Sequence, residues 1–179
     1  MHADLGEYQQ ALDYYNQALL LKRAVDDKTG EALILAGIGS AYNALGINQQ
    51  ALNYLNQALS LIRVENIKEG EPTVLNQIGL VYSGLGKTQQ ALEYYRQALP
   101  ISQEVGDKGV EATVLKNIGR AYNAQGETRA ALDSYEQALH FQRTIGDKPG
   151  EAFTLKDIET IYNFLRLLQR NNYPERVWG

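Results

Sequence analysis

Apolar residues return along this chain at helical spacing, in two patterns that alternate. In one, Leu35, Ile38 and Tyr42 fall at i, i+3 and i+7 and form a single stripe. In the other, Ala51, Leu52, Leu55, Ala58, Leu59 and Ile62 do the same. We label the first pattern helix A and the second helix B.

The breaks between them follow from backbone chemistry. Gly46 is placed to close helix A as a left-handed C′ residue, and Asn48, Thr88 and Thr128 are the expected N-caps of helix B. Gly106-Asp107 and Gly146-Asp147 end helix B and offer a cap near the next helix A. Pro72 lacks an N–H and disfavours helix at Glu71, so it fits only near a helix start. Helix A is therefore expected to begin near residue 71, and by register near 31, 111 and 151. Pro100 falls inside a helix B, where a local kink is expected instead of a stop, because Ile101 and Val105 continue the stripe.

Folding the chain on itself shows why the patterns alternate. Gly6, Gly46, Gly86 and Gly126 step by 40 residues, and so do Ala11, Ala51, Ala91 and Ala131. The block Gln17-Ala18-Leu19 returns at Gln57, Gln97 and Gln137. Lys28, Lys68, Lys108 and Lys148 form another column, as do Leu35, Leu75, Leu115 and Leu155, then Ile38, Ile78, Ile118 and Ile158, and Tyr42, Tyr82, Tyr122 and Tyr162. Glu31, Glu71, Glu111 and Glu151 recur near each helix A start, where a carboxylate favours the helix dipole. Small residues at Gly39, Gly79 and Gly119, with Ala51 and Ala58 opposite, let the two helices of a pair approach closely. One pair cannot cover its own apolar face, so the pairs must stack.

This predicts one array over residues 1–170, with units at 6–45, 46–85, 86–125 and 126–165 and helix order B-A-B-A-B-A-B-A. The last helix A loses its glycines to Glu159 and Arg166, and Phe164, Leu165, Leu167 and Leu168 should extend it to about Asn171. Residues 171–179 carry no repeat pattern and read either as a loose end or as a cap over the last apolar face. The array reads as part of a longer one, or as one with unusual ends.

The run Leu35-x-x-Ile38-Gly39-x-x-Tyr42-x-x-x-Gly46-x-x-x-x-Ala51-x-x-x-Leu55-x-x-Ala58-Leu59 resembles the tetratricopeptide repeat, and the resemblance covers residues 6 to 165. The period exceeds the usual ~34 residues. Leucine replaces the common helix-A tryptophan, and Arg23, Arg63, Gln103 and Arg143 stand where a proline usually ends helix B. The longer period resembles the kinesin light chain branch, the Leu-Gly-Asn-repeat adaptors and bacterial multi-repeat proteins. The resemblance implies an all-α, right-handed α-solenoid of antiparallel pairs, with helix A lining a concave groove and helix B the convex wall. It implies a scaffold that holds a protein or peptide segment, and no enzyme.

On that template the groove stripe is Ala36, Ser40 and Asn43, then Asn76, Leu80 and Ser83, then Lys116, Arg120 and Asn123, then Lys156, Thr160 and Asn163. Leu33, Thr73, Thr113 and Phe153 flank it on one side, and Gly37, Gln77, Asn117 and Asp157 on the other. Lys116, Arg120 and Asn123 share a helix face, and with Lys156 they would attract a carboxylate or acidic segment. Lys116, Asn117 and Arg120 resemble parts of the family's clamp for a C-terminal carboxylate, but earlier units lack the matching basic residues. Asn43, Asn123 and Asn163, with Ser83 between, form a ladder whose groups can bond an extended backbone. Ala36, Gly37, Ser40 and Ala44 leave room for an apolar side chain.

Composition narrows the partners. The net charge of −4 and pI near 5.2 argue against nucleic acid and anionic membrane surfaces. No apolar run approaches the ~18 residues of a membrane span. Cysteine is absent, which removes disulfides and thiol chemistry and leaves the compartment undecided, with the cytoplasm as the default expectation. His2 and His140 stand apart, and no acid–base pair, nucleophile set, phosphate loop or metal spacing occurs, so no cofactor is expected. The alternatives are head-to-tail self-assembly through unpaired end helices, or a regulatory part of a larger signalling protein.

Overall fold

The computed structural model describes residues 2–172, with side chains over 6–169. Helices α1 (His2–Ala24), α3 (Asn48–Val64), α5 (Thr88–Val105) and α7 (Thr128–Ile145) are the B type. Helices α2 (Lys28–Ala44), α4 (Glu71–Gly84), α6 (Lys108–Ala124) and α8 (Lys148–Asn172) are the A type. No strand occurs among the described residues. The last helix reaches one residue past the expected end. The suggested cap at 173–179 lies outside the described residues.

The joints explain the small departures from expectation. Gly46, Gly86 and Gly126 are left-handed, with φ of 73°, 71° and 78°. At the first of these, the Ile47 N–H donates back to the Tyr42 carbonyl at 2.9 Å. The chain then enters helix B with Ala51 N–H on the Ile47 carbonyl at 3.1 Å. Ile47, Lys87 and Glu127 therefore occupy the N-cap positions, and Asn48, Thr88 and Thr128 are already the first helical residues. The expected side-chain caps do not form.

Helix A starts three residues earlier than expected in α2, α6 and α8, because an aspartate caps it there. Asp27 accepts from Gly30 N–H at 2.8 Å, Asp107 from Val110 at 2.9 Å, and Asp147 from Gly150 at 2.9 Å. In α4 the same column is Ile67, which cannot cap. A 3₁₀ turn at Lys68–Gly70 precedes the helix instead, and Pro72 sits in its first turn. Helix α5 runs through Pro100 without a break.

Each close helix contact is set by a glycine. A Cβ at Gly39 would meet Leu55 Cγ at 2.6 Å, one at Gly119 would meet Tyr135 Cδ1 at 2.7 Å, and one at Gly79 would collide with Tyr95. Tyr95 and Tyr135 are fully buried, and burial pushes both phenols up to about 12, so they stay neutral. Tyr42 stacks on Tyr54 at 5.5 Å and Tyr82 on Tyr94 at 5.3 Å.

The core is continuous from Leu12 to Ala121. A smaller cluster of Ala131, Tyr135 and Ile161 follows, with Tyr122 packed against both. Ser134, Gln142 and Thr154 of the last units are also buried, where earlier units carry tyrosine, then lysine, isoleucine or serine, then isoleucine or valine. Among the described residues nothing packs on the far side of α8, and Leu155 there is 43% exposed, although Leu35, Leu75 and Leu115 are buried.

Candidate functional site

Successive A helices touch one another, α2 with α4, α4 with α6 and α6 with α8, whereas successive B helices make no comparable contacts. A stack closer-packed along one side curves towards it, so the A helices form the inner wall and the B helices the outer one. The face exposed on α2, α4, α6 and α8 is the candidate binding surface.

The residues of the expected polar ladder each fall on one of the A helices. Asn43 is half-buried, and Ser83, Asn123 and Asn163 are exposed, one on each inner helix. Asn76 and Asn117, expected in the lining, lie beneath it instead. They are 7% and 4% exposed, and Asn117 Nδ2 donates to Asn76 Oδ1 at 2.9 Å, tying α6 to α4. A buried amide must find a partner within the protein, and these two found each other.

The expected trio of cations also divides. Arg120 Nε donates to Asp157 Oδ2 at 2.7 Å and joins α6 to α8, so its charge is matched within the stack. Lys116 and Lys156 have no ion-pair partner among the described residues. Burial holds the Lys116 ammonium below its ordinary range, and the charge of Arg120 pushes the same way, while Asp157 and Asp147 oppose both. Lys156 is exposed. A ligand carboxylate at this point would meet two cations, one of them already short of water and of counter-charge.

The room foreseen for an apolar side chain exists, but displaced towards the helix starts. Gly37 is covered, since a Cβ there would meet Tyr15 Cζ at 2.9 Å. The open space is a cavity of about 320 Å³ between α2 and the start of α4, reached beside Ala36 and Leu33.

Two features escaped the sequence reading. The recurring glutamates do more than face a dipole. Glu31, Glu71 and Glu151 each accept from the arginine eight residues earlier, Arg23, Arg63 and Arg143, at 2.7, 2.7 and 2.6 Å. Glu111 accepts from Gln103 at 3.0 Å in the same way. The columns that replace the family's proline thus brace each B-to-A turn, and their common spacing was the available signal. Glu69, at the rim of the cavity, was likewise unremarked.

A family model described as tetratricopeptide repeat matches residues 1–63 and 71–144. No curated protein matches the chain. Among solved structures, the apo form of RapI superposes with a TM-score of 0.75 at 21% identity, over 94% of this chain and 45% of its own length. A putative kinesin light chain of nearly identical TPR-like repeats from Podosopora anserina gives 0.64 at 17%, over 95% of this chain and 90% of that one. A Rap protein complexed with competence and sporulation factor gives 0.58 at 15%, over 89% and 48%. At these identities the likeness is one of fold.

Proposed function

Because this chain belongs to the tetratricopeptide-repeat family, we propose that it is a non-catalytic scaffold that holds a segment of a partner protein along the inner face of α2, α4, α6 and α8. The observation that carries the reading is the surface line Asn43, Ser83, Asn123 and Asn163, joined by Lys116 and Lys156. Amides and hydroxyls in file bond an extended backbone regardless of sequence, and the two lysines select for acid. The similar Rap protein complexed with competence and sporulation factor supports a ligand-holding role for such an array. The cytoplasm is the default compartment of this reading, and the lack of cysteine does not decide it.

A peptide array bearing aspartate and glutamate runs tests this. Binding should fall when Lys116→Glu and Lys156→Glu are combined, with helicity unchanged. Arg120→Glu is made separately, since it breaks the bond to Asp157 as well as removing a cation. Acidic peptides that bind the double variant as they bind the parent would exclude this face.

A second reading is favoured by the apolar residues at the two ends of the stack. Leu20 and Leu21 on α1, with Val25 just beyond it, are exposed, as are Phe164, Leu167 and Leu168 on α8. Copies joined head to tail would cover both faces. Light scattering over a concentration series decides it, and a strict monomer at high concentration removes it.

A further inference from the structure

The cavity beside Ala36 points to what else the partner must carry. Its walls are Ala32, Leu33 and Ala36 from α2, Ile62 from α3, Ile67 from the turn after it, and Val74 from α4. Thr29, Glu69, Gly70 and Thr73 complete the rim. A void of ~150 Å³ with apolar walls already accepts benzene, so about 320 Å³ admits a large aliphatic or aromatic side chain together with adjoining backbone.

The repeat itself supplies the control, because the same junction recurs with bulkier residues. One unit on, Ala32, Ala36 and Gly70 become Pro72, Asn76 and Val110. Pro72 and Asn76 are both buried there, and Asn76 accepts from Asn117. In the next unit position 36 becomes Lys116. Only the first of these junctions combines small residues at all three positions. Its floor also differs: Ile67 stands where the other units have a capping aspartate, so the opening is apolar where theirs is polar.

The rim carries one unmatched charge. Lys68, next to Glu69, reaches away to Glu104 at 2.5 Å. Arg63 is held by Glu71 at 2.7 Å. Glu69 is exposed and makes no ion pair among the described residues. A ligand that buries an apolar group here brings its neighbouring residue against this carboxylate.

We propose that the cavity is the anchor site for one aromatic or large aliphatic side chain of the partner segment, with a lysine or arginine beside it in the partner's sequence pairing with Glu69. The inference rests on the inner-face reading and deepens it. The partner is then bipolar: apolar and basic where it meets α2 and α4, acidic where it meets Lys116 and Lys156.

The test uses the full chain, isotope-labelled, titrated with N-acetyl-Phe-Lys-amide while backbone and methyl resonances are followed. Shifts should map to Ala32, Ala36, Ile67 and Val74. N-acetyl-Ala-Lys-amide, lacking the anchor, should bind roughly 10- to 100-fold more weakly. N-acetyl-Phe-Glu-amide should bind more weakly than the lysine probe, and Glu69→Lys should reverse that order. Ala36→Leu should abolish the shifts. Gly70→Val, copying Val110, should do the same, and its added Cβ meets only the end of Ile62, at 3.1 Å. The far-ultraviolet circular dichroism of both variants establishes that they fold. Equal binding of the phenylalanine and alanine probes, shifts that map elsewhere, or shifts that survive in folded Ala36→Leu and Gly70→Val would each overturn the proposal. If the dipeptides fail here while acidic peptides still bind through Lys116 and Lys156, the anchor is wrong and the inner-face reading stands.

Discussion

Replacing Asn117 by alanine removes the donor that satisfies Asn76 Oδ1 across the α4–α6 contact, at 2.9 Å. Both residues are nearly sealed from water, at 7% and 4% exposure. The orphaned oxygen therefore cannot be rehydrated without opening the contact. A buried acceptor left without a donor costs about 1–3 kcal/mol, and the space vacated by the amide adds to that. For a chain of this size the melting temperature should fall by roughly 2–4 °C for each kcal/mol lost. Asn76→Ala should cost about as much as Asn117→Ala, for the reciprocal reason. The double variant is the informative one. It leaves no orphan, and Ala36 already occupies the Asn76 column in the preceding unit. Its loss should be smaller than the sum of the single losses by at least ~0.5 kcal/mol, the lower bound for residues in direct contact. Urea titration of the four proteins, followed by circular dichroism, measures the cycle. If the two losses simply add, or if Asn117→Ala is silent, the amides do not satisfy each other and the burial argument fails.

Further outcomes follow from the same geometry. Gly119→Val should destabilise by about 1–3 kcal/mol, read in the same titration, because its Cβ would meet Tyr135 at 2.7 Å and the Ala131 carbonyl oxygen at 3.1 Å. The hydrogen bond from Arg143, followed by that from Lys148, holds the Glu151 carboxyl below its ordinary 4.5. Its stabilisation is present above that value and is lost as pH falls through the lower folded value; Arg143→Gln should flatten this part of a melting profile taken between pH 5 and 3. A bound carboxylate should raise the depressed pKa of Lys116. Affinity for an acidic peptide should then be full below the free-state pKa and decline as pH rises through it, and Lys116→Arg should remove the decline over that range in calorimetric titrations.

The course of the chain was written in its periodicity. Residues 40 apart repeat because each helix pair meets its neighbour in the same way, and a helix announces its buried side through i, i+3 and i+7. Gly46, Gly86 and Gly126 announced the A-to-B turns, since a left-handed residue there suits glycine. The aspartates at 107 and 147 announced the reverse turns. What escaped was small and local: Ile47 takes the cap position because the turn closes one residue earlier than Asn48 allows.

The binding face divides differently. The stripe Asn43, Ser83, Asn123 and Asn163 is an expectation that needs only the helix period and a choice of side, and each member falls on an A helix. The fates of Asn76, Asn117 and Arg120 were not legible. Each depends on whether a side chain from the next helix pair comes within hydrogen-bond reach, as Asn117 does to Asn76 and Asp157 to Arg120. The cavity is of the same kind: Ala32, Ala36 and Gly70 look unremarkable along the chain, and they leave a void only because stacking brings them together. Periodicity determines which side of a helix faces inward. Pairing and voids are decided by the angle and distance at which two helix pairs dock, and that geometry exists only once the whole stack has formed.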